Sequence, residues 1–341
     1  MEIRKIKLNE HEKYIDFINN NWKKNHALAK SKQLLDYLHL QNNEYNYYAV
    51  FENNEIIALL GFIPTSIYDM QLKDNYDSWG AIWKVSENTS KSGIGIELMD
   101  ILLKEESKNS FGAIGVSPIA KKIYKLYGMK LGELSCYYIS NNNIVHVIGQ
   151  NLIKQEFPQI KNKEWSIIEN LDLYSVAEIS STYRPQKTIN YLINKYYKHP
   201  IYKYNIWGIC RNNVLVSIWI TRRIVVNSSS IIRIVDIHGN IENIPNISIQ
   251  INSILQNECC EYIDILNYGI DKEVFLKIGF NILSGNTIIP NYFEPFEQRN
   301  VKIELAYKAN YDNYIVFMTI RSEEVAYEFN SLPIKNKVGF F

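Results

Sequence analysis

Cysteine and histidine are scarce in this sequence, and neither is spaced as a metal site requires. The four cysteines are Cys136, Cys210, Cys259 and Cys260, and no two of them form a C-x-x-C pair. The adjacent Cys259 and Cys260 are more typical of small buried side chains than of a disulfide or a ligand pair. The six histidines are scattered, without a His-x-x-x-His pair or an accompanying carboxylate cluster. We therefore predict no bound metal, and a reducing cytoplasm as the compartment.

The sequence also lacks an excess of charge and a long apolar run. Its 37 Lys and Arg residues balance 36 Asp and Glu residues, for a net charge of +1. That balance disfavours the basic stripe of a nucleic-acid binder and the polybasic face of a membrane-surface protein. No window approaches the length of a membrane span, and the N-terminal residues lack the apolar core of a signal peptide. We expect about two domains, no nucleic-acid partner and no membrane span, and the oligomeric state stays open.

What the sequence does contain is one pattern of elements that occurs twice. Each half has a strand–turn–strand unit with a two-asparagine turn, then a strand, a helix, a second strand and a second helix. The second helices end at Gly128 and Gly279, which are 151 positions apart, and this offset aligns the preceding elements without a gap. A strand at Cys136–Ile139 is expected to close the first unit. We therefore predict two domains, residues 1–145 and residues 146–341.

A pair of glycines distinguishes the two copies. In the first copy an apolar strand at residues 81–85 leads into Gly93-Ile94-Gly95 and an amphipathic helix. Such glycines leave backbone N–H groups unshielded at the positive end of the helix dipole, where a phosphate is cradled. The second copy has Ile244-Pro245-Asn246 at this position, and proline has no N–H. Ordinary turns also contain Gly-x-Gly, but a copy without the glycines indicates that they serve binding rather than folding.

These residues resemble the motifs of the GNAT acyltransferase superfamily. Its first motif is a strand followed by [Gln/Arg]-x-x-Gly-x-[Gly/Ala] at the start of a helix, and residues 90–95 match it with Ser90 in place of Gln or Arg. Its second motif, Ala-x-x-x-Tyr-x-x-x-Gly-Phe, matches Ala120, Tyr124, Gly128 and Met129. The resemblance implies an α/β (α+β) fold of two tandem GNAT-like domains, each a mixed twisted sheet flanked by helices.

The same resemblance implies an acyl-CoA co-substrate that lies between two splayed strands, residues 81–85 and residues 113–117. The residues that would bind it are Val85, Ser90, Lys91, Gly93, Ile94, Gly95 and Ser117. The backbone N–H of Val85 or Ser86 would polarise the thioester carbonyl. Tyr124 would act as general acid for the departing thiolate, and the alternative is that its ring only packs, as Phe275 does at the matching position of the second copy.

The acceptor site is expected in the second half, where residues 196–204 are rich in tyrosine. His199 has a side chain whose ordinary pKa suits proton transfer near neutrality. Tyr202 and Tyr204 offer apolar faces for stacking on a sugar or a base, and hydroxyls for hydrogen bonds. The alternative is that these rings are buried at a domain interface and that His199 caps a helix.

A second set of acceptor candidates lies on the middle strand of the second half. Asp236 aligns with Val85 of the first copy, and His238 shares its strand face. A buried carboxylate is costly unless it is paired or functional. We therefore expect Asp236 and His238 to receive the proton of the amine or to hold sugar hydroxyls, with water as the alternative base. Tyr268, at the end of the next strand, is a further candidate for substrate contact.

The stretch His-Pro-x-Tyr-x-Tyr from His199, followed by Ile-Val-Asp-x-x-Gly, is similar to tandem-GNAT enzymes of surface-polysaccharide clusters, which build lipopolysaccharide O-antigen or capsule. These enzymes N-acylate dTDP-3-amino-3,6-dideoxyhexoses. The resemblance implies transfer of a 3-hydroxybutanoyl or acetyl group from CoA to the amine of a nucleotide-linked amino sugar, dTDP-3-amino-3,6-dideoxygalactose. Two alternatives stay open: an aminoacyl-tRNA-dependent transferase for cell-wall peptides, which the low net charge disfavours, and a non-catalytic GNAT scaffold, which the glycine pair disfavours.

Overall fold

The computed structural model describes residues 1–293 and 296–318. The end of the predicted second domain, residues 319–341, lies outside the described residues. The strands in chain order are β1 Glu2–Lys7, β2 Leu40–Gln41, β3 Glu44–Glu52, β4 Glu55–Pro64, β5 Asp77–Val85, β6 Ser110–Ile114, β7 Lys130–Glu133, β8 Ser135–Ser140, β9 Trp165–Ile168, β10 Asn205–Arg211, β11 Val214–Val226, β12 Ser229–Gly239, β13 Tyr262–Tyr268, β14 Asn281–Ile282, β15 Tyr292–Phe293, β16 Phe296–Glu297, β17 Glu304–Ala309 and β18 Val316–Phe317. The α-helices are α1 His11–Asn21, α2 Ala27–Lys30, α3 Lys32–His39, α4 Ile94–Glu105, α5 Pro118–Leu126, α6 Ile189–Leu192, α7 Ser248–Asn257 and α8 Lys272–Ile278. A π-helical turn, Ile193–Tyr197, continues α6, and short 3₁₀ turns occupy Leu8–Glu10, Thr65–Ile67, Met70–Asn75 and Leu173–Ser175.

Two eight-stranded sheets have the same strand order. The first is β1-β3-β4-β5-β6-β17-β7, with β2 paired to β3. The second is β9-β10-β11-β12-β13-β8-β14, with β18 paired to β13. Each sheet is mixed, because β5–β6 and β12–β13 are parallel while the neighbouring pairs are antiparallel. The predicted fold class, two mixed sheets flanked by helices, is confirmed.

Each half contributes one strand to the sheet of the other half. Strand β17 of the second half lies between β6 and β7 of the first sheet. Strand β8 of the first half lies between β13 and β14 of the second sheet. The expectation that Cys136–Ile139 closes the first unit is therefore wrong, although the segment is a strand. Its alternating pattern predicts a strand but cannot select between two sheets that offer equivalent neighbours.

Local turn chemistry is the same in both halves. Asn53-Asn54 joins β3 to β4 and Asn212-Asn213 joins β10 to β11, and all four asparagines have positive φ. This is the two-residue turn whose twist matches that of a hairpin. The helices α5 and α8 are each followed by a glycine in the left-handed region, Gly128 at φ +69 and Gly279 at φ +111. The sequence repeat is thus matched by equivalent turns and helix ends.

The two sheets share one hydrophobic core. It contains Leu59 and Ile63 of β4 and Ile218 and Ile220 of β11, together with apolar side chains of α1, α3 and α6. A separate cluster joins α4 and α5 to the first sheet, and another joins α7 and α8 to the second. The halves are therefore connected both by exchanged strands and by a common interior.

Candidate functional site

The first sheet opens between β5 and β6. These strands pair at three positions, which end with Trp79 opposite Gly112, and no further rung joins the described residues of the two strands. Just beyond, Ala81 and Ile82 of β5 face the single residue Gly61 of β4. Such a bulge bends its strand and increases its twist, while β6 continues along β17. We refer to the resulting space as the first gap, with its apex at Trp79 and Gly112 and its open end at the end of β5.

Helix α4 begins near the open end of the first gap with unused backbone donors. Gly93 precedes it at φ +84, and no side chain caps this end of the helix. The first intrahelical bonds run from Ile96 and Glu97 to the Gly93 carbonyl, at 3.0 and 3.1 Å. The amides of Ile94 and Gly95 precede these bonds and are available to an anion.

The structure also gives both glycines a conformational or packing role. Among the described residues, a Cβ on Gly93 would meet nothing within 4 Å beyond its chain neighbours, but its φ of +84 is a backbone conformation that residues with a side chain rarely adopt. A Cβ on Gly95 would come 3.3 Å from Trp83 Nε1. The prediction that these glycines serve binding rather than folding is therefore corrected, because this helix start needs Gly93 for its backbone shape. In the second half, Asn246 Oδ1 accepts from the Ser248 amide at 3.0 Å, so the first amide of α7 is already bonded within the chain.

The end of β5 decides between the two proposed backbone donors. The Ser86 amide donates to the Ile57 carbonyl of the β4 segment at 2.9 Å, so it is not available to a ligand. Antiparallel pairs alternate between bonded and non-bonded positions. Val85, opposite Ala58, therefore directs its N–H away from β4 and toward the first gap.

The side chains predicted to hold the cofactor are used differently. Lys91 Nζ contacts Glu52 Oε1 at 2.6 Å on the surface, and Ser90 is exposed. The Ile94 side chain is buried in the core between α4 and the sheet, which leaves only its backbone for a ligand. Ser117 Oγ accepts from the Ala120 amide at 3.2 Å and caps α5. These contacts favour recognition by backbone amides.

Tyr124 of α5 spans the two strands of the first gap. Its ring centre lies 5.8 Å from that of Trp83 on β5 and 6.1 Å from that of Phe111 on β6. Burial raises the pKa of Tyr124, and no described residue hydrogen-bonds its hydroxyl. The phenol therefore stays protonated, and its O–H group can donate a hydrogen bond to a bound molecule.

His199 is held as a neutral cap. Its Nδ1 accepts from the amides of Ile201 and Tyr202 at 3.1 and 2.9 Å. Burial, with the nearby charges of Arg222 and Lys195, lowers the pKa of His199 to about 3. Because the ring lone pair is already engaged, the contacts favour the capping alternative over a general base.

Asp236 forms a buried ion pair that the sequence did not indicate. Its carboxylate contacts Lys187 Nζ and accepts from the Tyr196 hydroxyl at 2.6 Å and the Ile237 amide at 2.9 Å. Burial acts to raise the pKa of Asp236, but the charges of Lys187 and Lys195 outweigh it, so the pKa is lowered and the group stays ionised. An isolated lysine in a loop carries no pattern that would identify Lys187 beforehand.

His238 lies beside this pair and is also neutral. It is buried, with Nε2 3.6 Å from Glu178 Oε1. Burial, with the charge of Lys187 next, lowers the pKa of His238 to about 4. Neither His199 nor His238 therefore has the basicity of an exposed imidazole.

The predicted acceptor tyrosines fall into two places. Tyr202 and Tyr204 surround His199, with ring centres 5.0 and 5.6 Å from the imidazole, and Arg222 lies 4.0 Å above the Tyr202 ring. Tyr196 links this group to Asp236, because its ring lies 5.1 Å from that of Tyr204. Tyr268 lies apart, with its hydroxyl 3.3 Å from that of Tyr307 on the first sheet.

The second sheet has an equivalent opening that the chain itself fills. Strands β12 and β13 pair as far as Ile234 opposite Ile265, and Val235 then forms a bulge immediately before Asp236. Beyond it, β13 pairs with β18 instead of β12. Ile315 and Phe317 of this segment line a cavity of about 20 Å³ with Lys187 and Asp236. The second gap is therefore closed by residues 313–318.

The described part of the chain has neither a membrane helix nor a metal cluster. In residues 1–293 and 296–318, no helix is both long and apolar enough to cross a membrane. Within the same ranges, no group of three or more His, Cys, Asp or Glu side chains is arranged to hold a metal ion.

Comparison with known proteins finds similarity of structure but not of sequence. No family model and no curated protein matches the chain. A GCN5-related N-acetyltransferase from Anabaena variabilis is 11% identical over 90% of this chain and 72% of its own, with a TM-score of 0.53. A proposed acetyltransferase from Pyrococcus horikoshii is 12% identical over 95% of both chains, with a TM-score of 0.50. A proposed N-acyltransferase from Enterococcus faecalis is 11% identical over 90% of this chain and 72% of its own, with a TM-score of 0.50. The chain therefore has the fold of the GCN5-related N-acetyltransferases.

Proposed function

We propose that the protein is an acyl-CoA-dependent N-acyltransferase whose first half binds the acyl-CoA. The observation that supports this is the first gap with the uncapped start of α4 near its open end. The second sheet has the same strand order, but β18 fills its gap and Asn246 already accepts from the first amide of α7. One half thus keeps the space and the donors that the cofactor needs.

The residues of the first half fit this cofactor. The amides of Ile94 and Gly95 would donate to the pyrophosphate at the positive end of α4. Among the described residues, no atom beyond its chain neighbours lies within 4 Å of a Cβ at Gly93, which leaves room for phosphate oxygens. Lys91 is paired with Glu52, so we assign most of this binding to backbone groups.

In the proposed reaction the neutral amine of the acceptor attacks the thioester carbonyl carbon. The C–N bond forms, the C–S bond breaks, and the thiolate of CoA leaves. The Val85 N–H donates to the carbonyl oxygen as it gains negative charge. The Tyr124 hydroxyl donates to the departing sulfur. The amine proton passes to water, because the His199 lone pair and the Asp236 carboxylate are already engaged.

We further propose a nucleotide-linked amino sugar as the acceptor, with dTDP-3-amino-3,6-dideoxygalactose as the first candidate and a 3-hydroxybutanoyl or acetyl group as the acyl part. The partly exposed ring of Tyr204 suits stacking on a sugar or a base, whereas Tyr202 is buried between His199 and Arg222. Arg222 adds a guanidinium that suits a phosphate. Release of free thiol with this sugar and acyl-CoA tests the proposal, and thiol release with other small amines alone would redirect it. Turnover with aminoacyl-tRNA in place of acyl-CoA would contradict it.

Calorimetric titration with CoA tests the cofactor site through Gly93→Ala. The added methyl group would occupy the space of the pyrophosphate, and we expect affinity to fall at least about 10-fold, equivalent to about 1.4 kcal/mol. Gly285→Ala is the matched control, since Gly285 also has positive φ, at +58, and open space around it. Both variants lose stability from backbone strain, but the control keeps its affinity for CoA. Equal affinity in the two variants would place the cofactor elsewhere.

A further inference from the structure

A tyrosine from the second half reaches the apex of the first gap. Tyr314 belongs to residues 313–318, whose neighbours Ile315 and Phe317 help to close the second gap. Its ring centre lies 5.8 Å from that of Trp79. A Cβ added to Gly112 would overlap the Tyr314 hydroxyl oxygen, so this oxygen lies directly against Gly112 of β6. Trp79 and Gly112 form the last rung that joins β5 to β6.

The Tyr314 hydroxyl is buried there without a hydrogen-bond partner among the described residues. The residue is 3% exposed, and its ring is stacked on Tyr307 with centres 4.7 Å apart and planes 6° apart. Burial raises the pKa of Tyr314, so the hydroxyl keeps its proton. A buried hydroxyl without a partner is unfavourable in the free protein, and a group that completes its hydrogen bonding binds better for that reason.

The orientation of the gap decides which part of a bound acyl-CoA comes nearest to this hydroxyl. Strand β5 runs from the apex at Trp79 to the open end at Val85, and α4 follows it along the chain. A cofactor whose pyrophosphate is at the start of α4 enters from the open end. Its acyl group, at the opposite end of the molecule, then points toward the apex.

We propose that Tyr314 is a specificity-determining residue for the acyl group, and that its hydroxyl selects acyl chains that carry a hydroxyl, which favours 3-hydroxybutanoyl over acetyl. This inference rests on the proposed function and adds to it a residue from the second half. The Tyr314 hydroxyl donates to the hydroxyl oxygen of the acyl chain, and a plain alkyl chain of the same length leaves it without a partner among the described residues. Selection of this kind follows from the cost of an unmade hydrogen bond in a closed site.

Binding of two matched cofactors tests this without an acceptor. Butanoyl-CoA and 3-hydroxybutanoyl-CoA have the same chain length and differ by one hydroxyl. In the wild type we expect the hydroxylated cofactor to bind about 5- to 10-fold more tightly, the effect of one neutral hydrogen bond. Tyr314→Phe should abolish this difference and leave the melting temperature unchanged or higher, because the lost hydroxyl has no partner in the described protein.

Tyr311→Phe is the matched control. The Tyr311 hydroxyl lies within hydrogen-bonding distance of Asp77 Oδ1 and Ser110 Oγ, at 2.7 and 2.8 Å, so its loss should lower stability and leave the ratio of affinities unchanged. Equal affinities in the wild type, or a ratio that survives Tyr314→Phe, would overturn the inference. Failure of CoA itself to bind the wild type would instead overturn the proposed function, and this inference with it.

Discussion

The two buried histidines of the second half are neutral because the fold removes them from water. Nδ1 of His199 accepts from the backbone of the turn after the π-helical segment. His238 is buried on β12 beside Lys187 and Asp236. A charged imidazole in either place would lack solvation and face a nearby cation. Histidine is therefore a structural residue at both positions, and its protonation is coupled to unfolding.

The first prediction concerns pH and stability. The folded pKa values of about 3 and 4 lie below the unfolded value of about 6.5, so the unfolded chain binds more protons below that pH. The two neutral histidines therefore contribute fully to the free energy of unfolding above about pH 6.5. This contribution decreases as the pH falls toward their pKa values in the folded protein. Between pH 7 and pH 5, His199 should lower the free energy of unfolding of the wild type by about 2 kcal/mol. His199→Asn keeps an acceptor for the two amides and should not show this part of the decrease. Urea unfolding at both pH values measures this.

His11→Asn provides the control for that experiment. His11 is a half-exposed residue at the start of α1, so this variant should retain the pH dependence of the wild type. A His199→Asn protein with unchanged pH dependence would show that the ring is charged or accessible in the folded state.

At the level of elements, one extra residue in a strand shapes each gap. The bulge at Ala81–Ile82 bends β5 from β6, and the bulge at Val235 precedes the separation of β12 and β13. The openings then differ in what occupies them. Strand β18 pairs with β13 in the second sheet, so the chain itself occupies the opening of this sheet.

The second prediction tests this contact through Phe317→Ala. Phe317 is buried in the second gap, and Lys187 Nζ lies 5.1 Å from its ring centre. We expect a loss of about 3–5 kcal/mol in the free energy of unfolding from the lost packing and the cavity. CoA binding at low temperature should be unchanged, because the site is assigned to the first gap. Urea unfolding and calorimetry measure the two effects.

Val225→Ala serves as the control for Phe317→Ala. Val225 is 65% exposed on β11, and its truncation should change stability by less than about 0.5 kcal/mol. A loss of CoA affinity in well-folded Phe317→Ala protein would assign part of the cofactor site to the second sheet.

At the scale of the whole molecule, no single position divides the chain into two independent sheets. Strand β17 has a hydrogen-bonded neighbour on each side within the first sheet, and β8 has the same arrangement within the second. The common core adds apolar contacts between β4 and β11. Separation of the halves would expose strand edges and a large apolar surface, both of which are unfavourable.

The third prediction is that the protein unfolds in one transition. Scanning calorimetry should give a van't Hoff enthalpy equal to the calorimetric enthalpy, because strand exchange couples the halves. A fragment of residues 1–145 lacks β17 and should be unfolded or aggregated alone, as judged by circular dichroism. Co-expression with residues 146–341 should restore a soluble complex. Two resolved transitions, or a folded fragment of residues 1–145, would contradict this coupling.

Prediction from the sequence succeeded where the signal is local. The asparagine turns, the glycine helix ends and the repeated order of strands and helices follow from backbone preferences and apolar spacing. The proposed cofactor residues near Gly93 lie on one continuous segment, which the motif identifies. Lys187 and Tyr314 were missed, since one is an isolated lysine and the other is among 25 tyrosines. Their roles depend on contacts between segments far apart in the chain.

The sequence by itself determined the two copies of one mixed α/β unit, because hydrophobic period, turn residues and helix ends act over a few neighbouring residues. Only the tertiary structure decided which sheet receives β8 and β17, which gap stays open, and which polar side chains remain available. These depend on pairing between equivalent edges and on burial, and neither is encoded in local spacing. For Gly93, His199 and Asp236, the sequence predicted the chemistry of the residue but not its use. Gly93 has a positive φ that the helix start requires, and the acceptor atoms of His199 and Asp236 are already hydrogen-bonded within the chain.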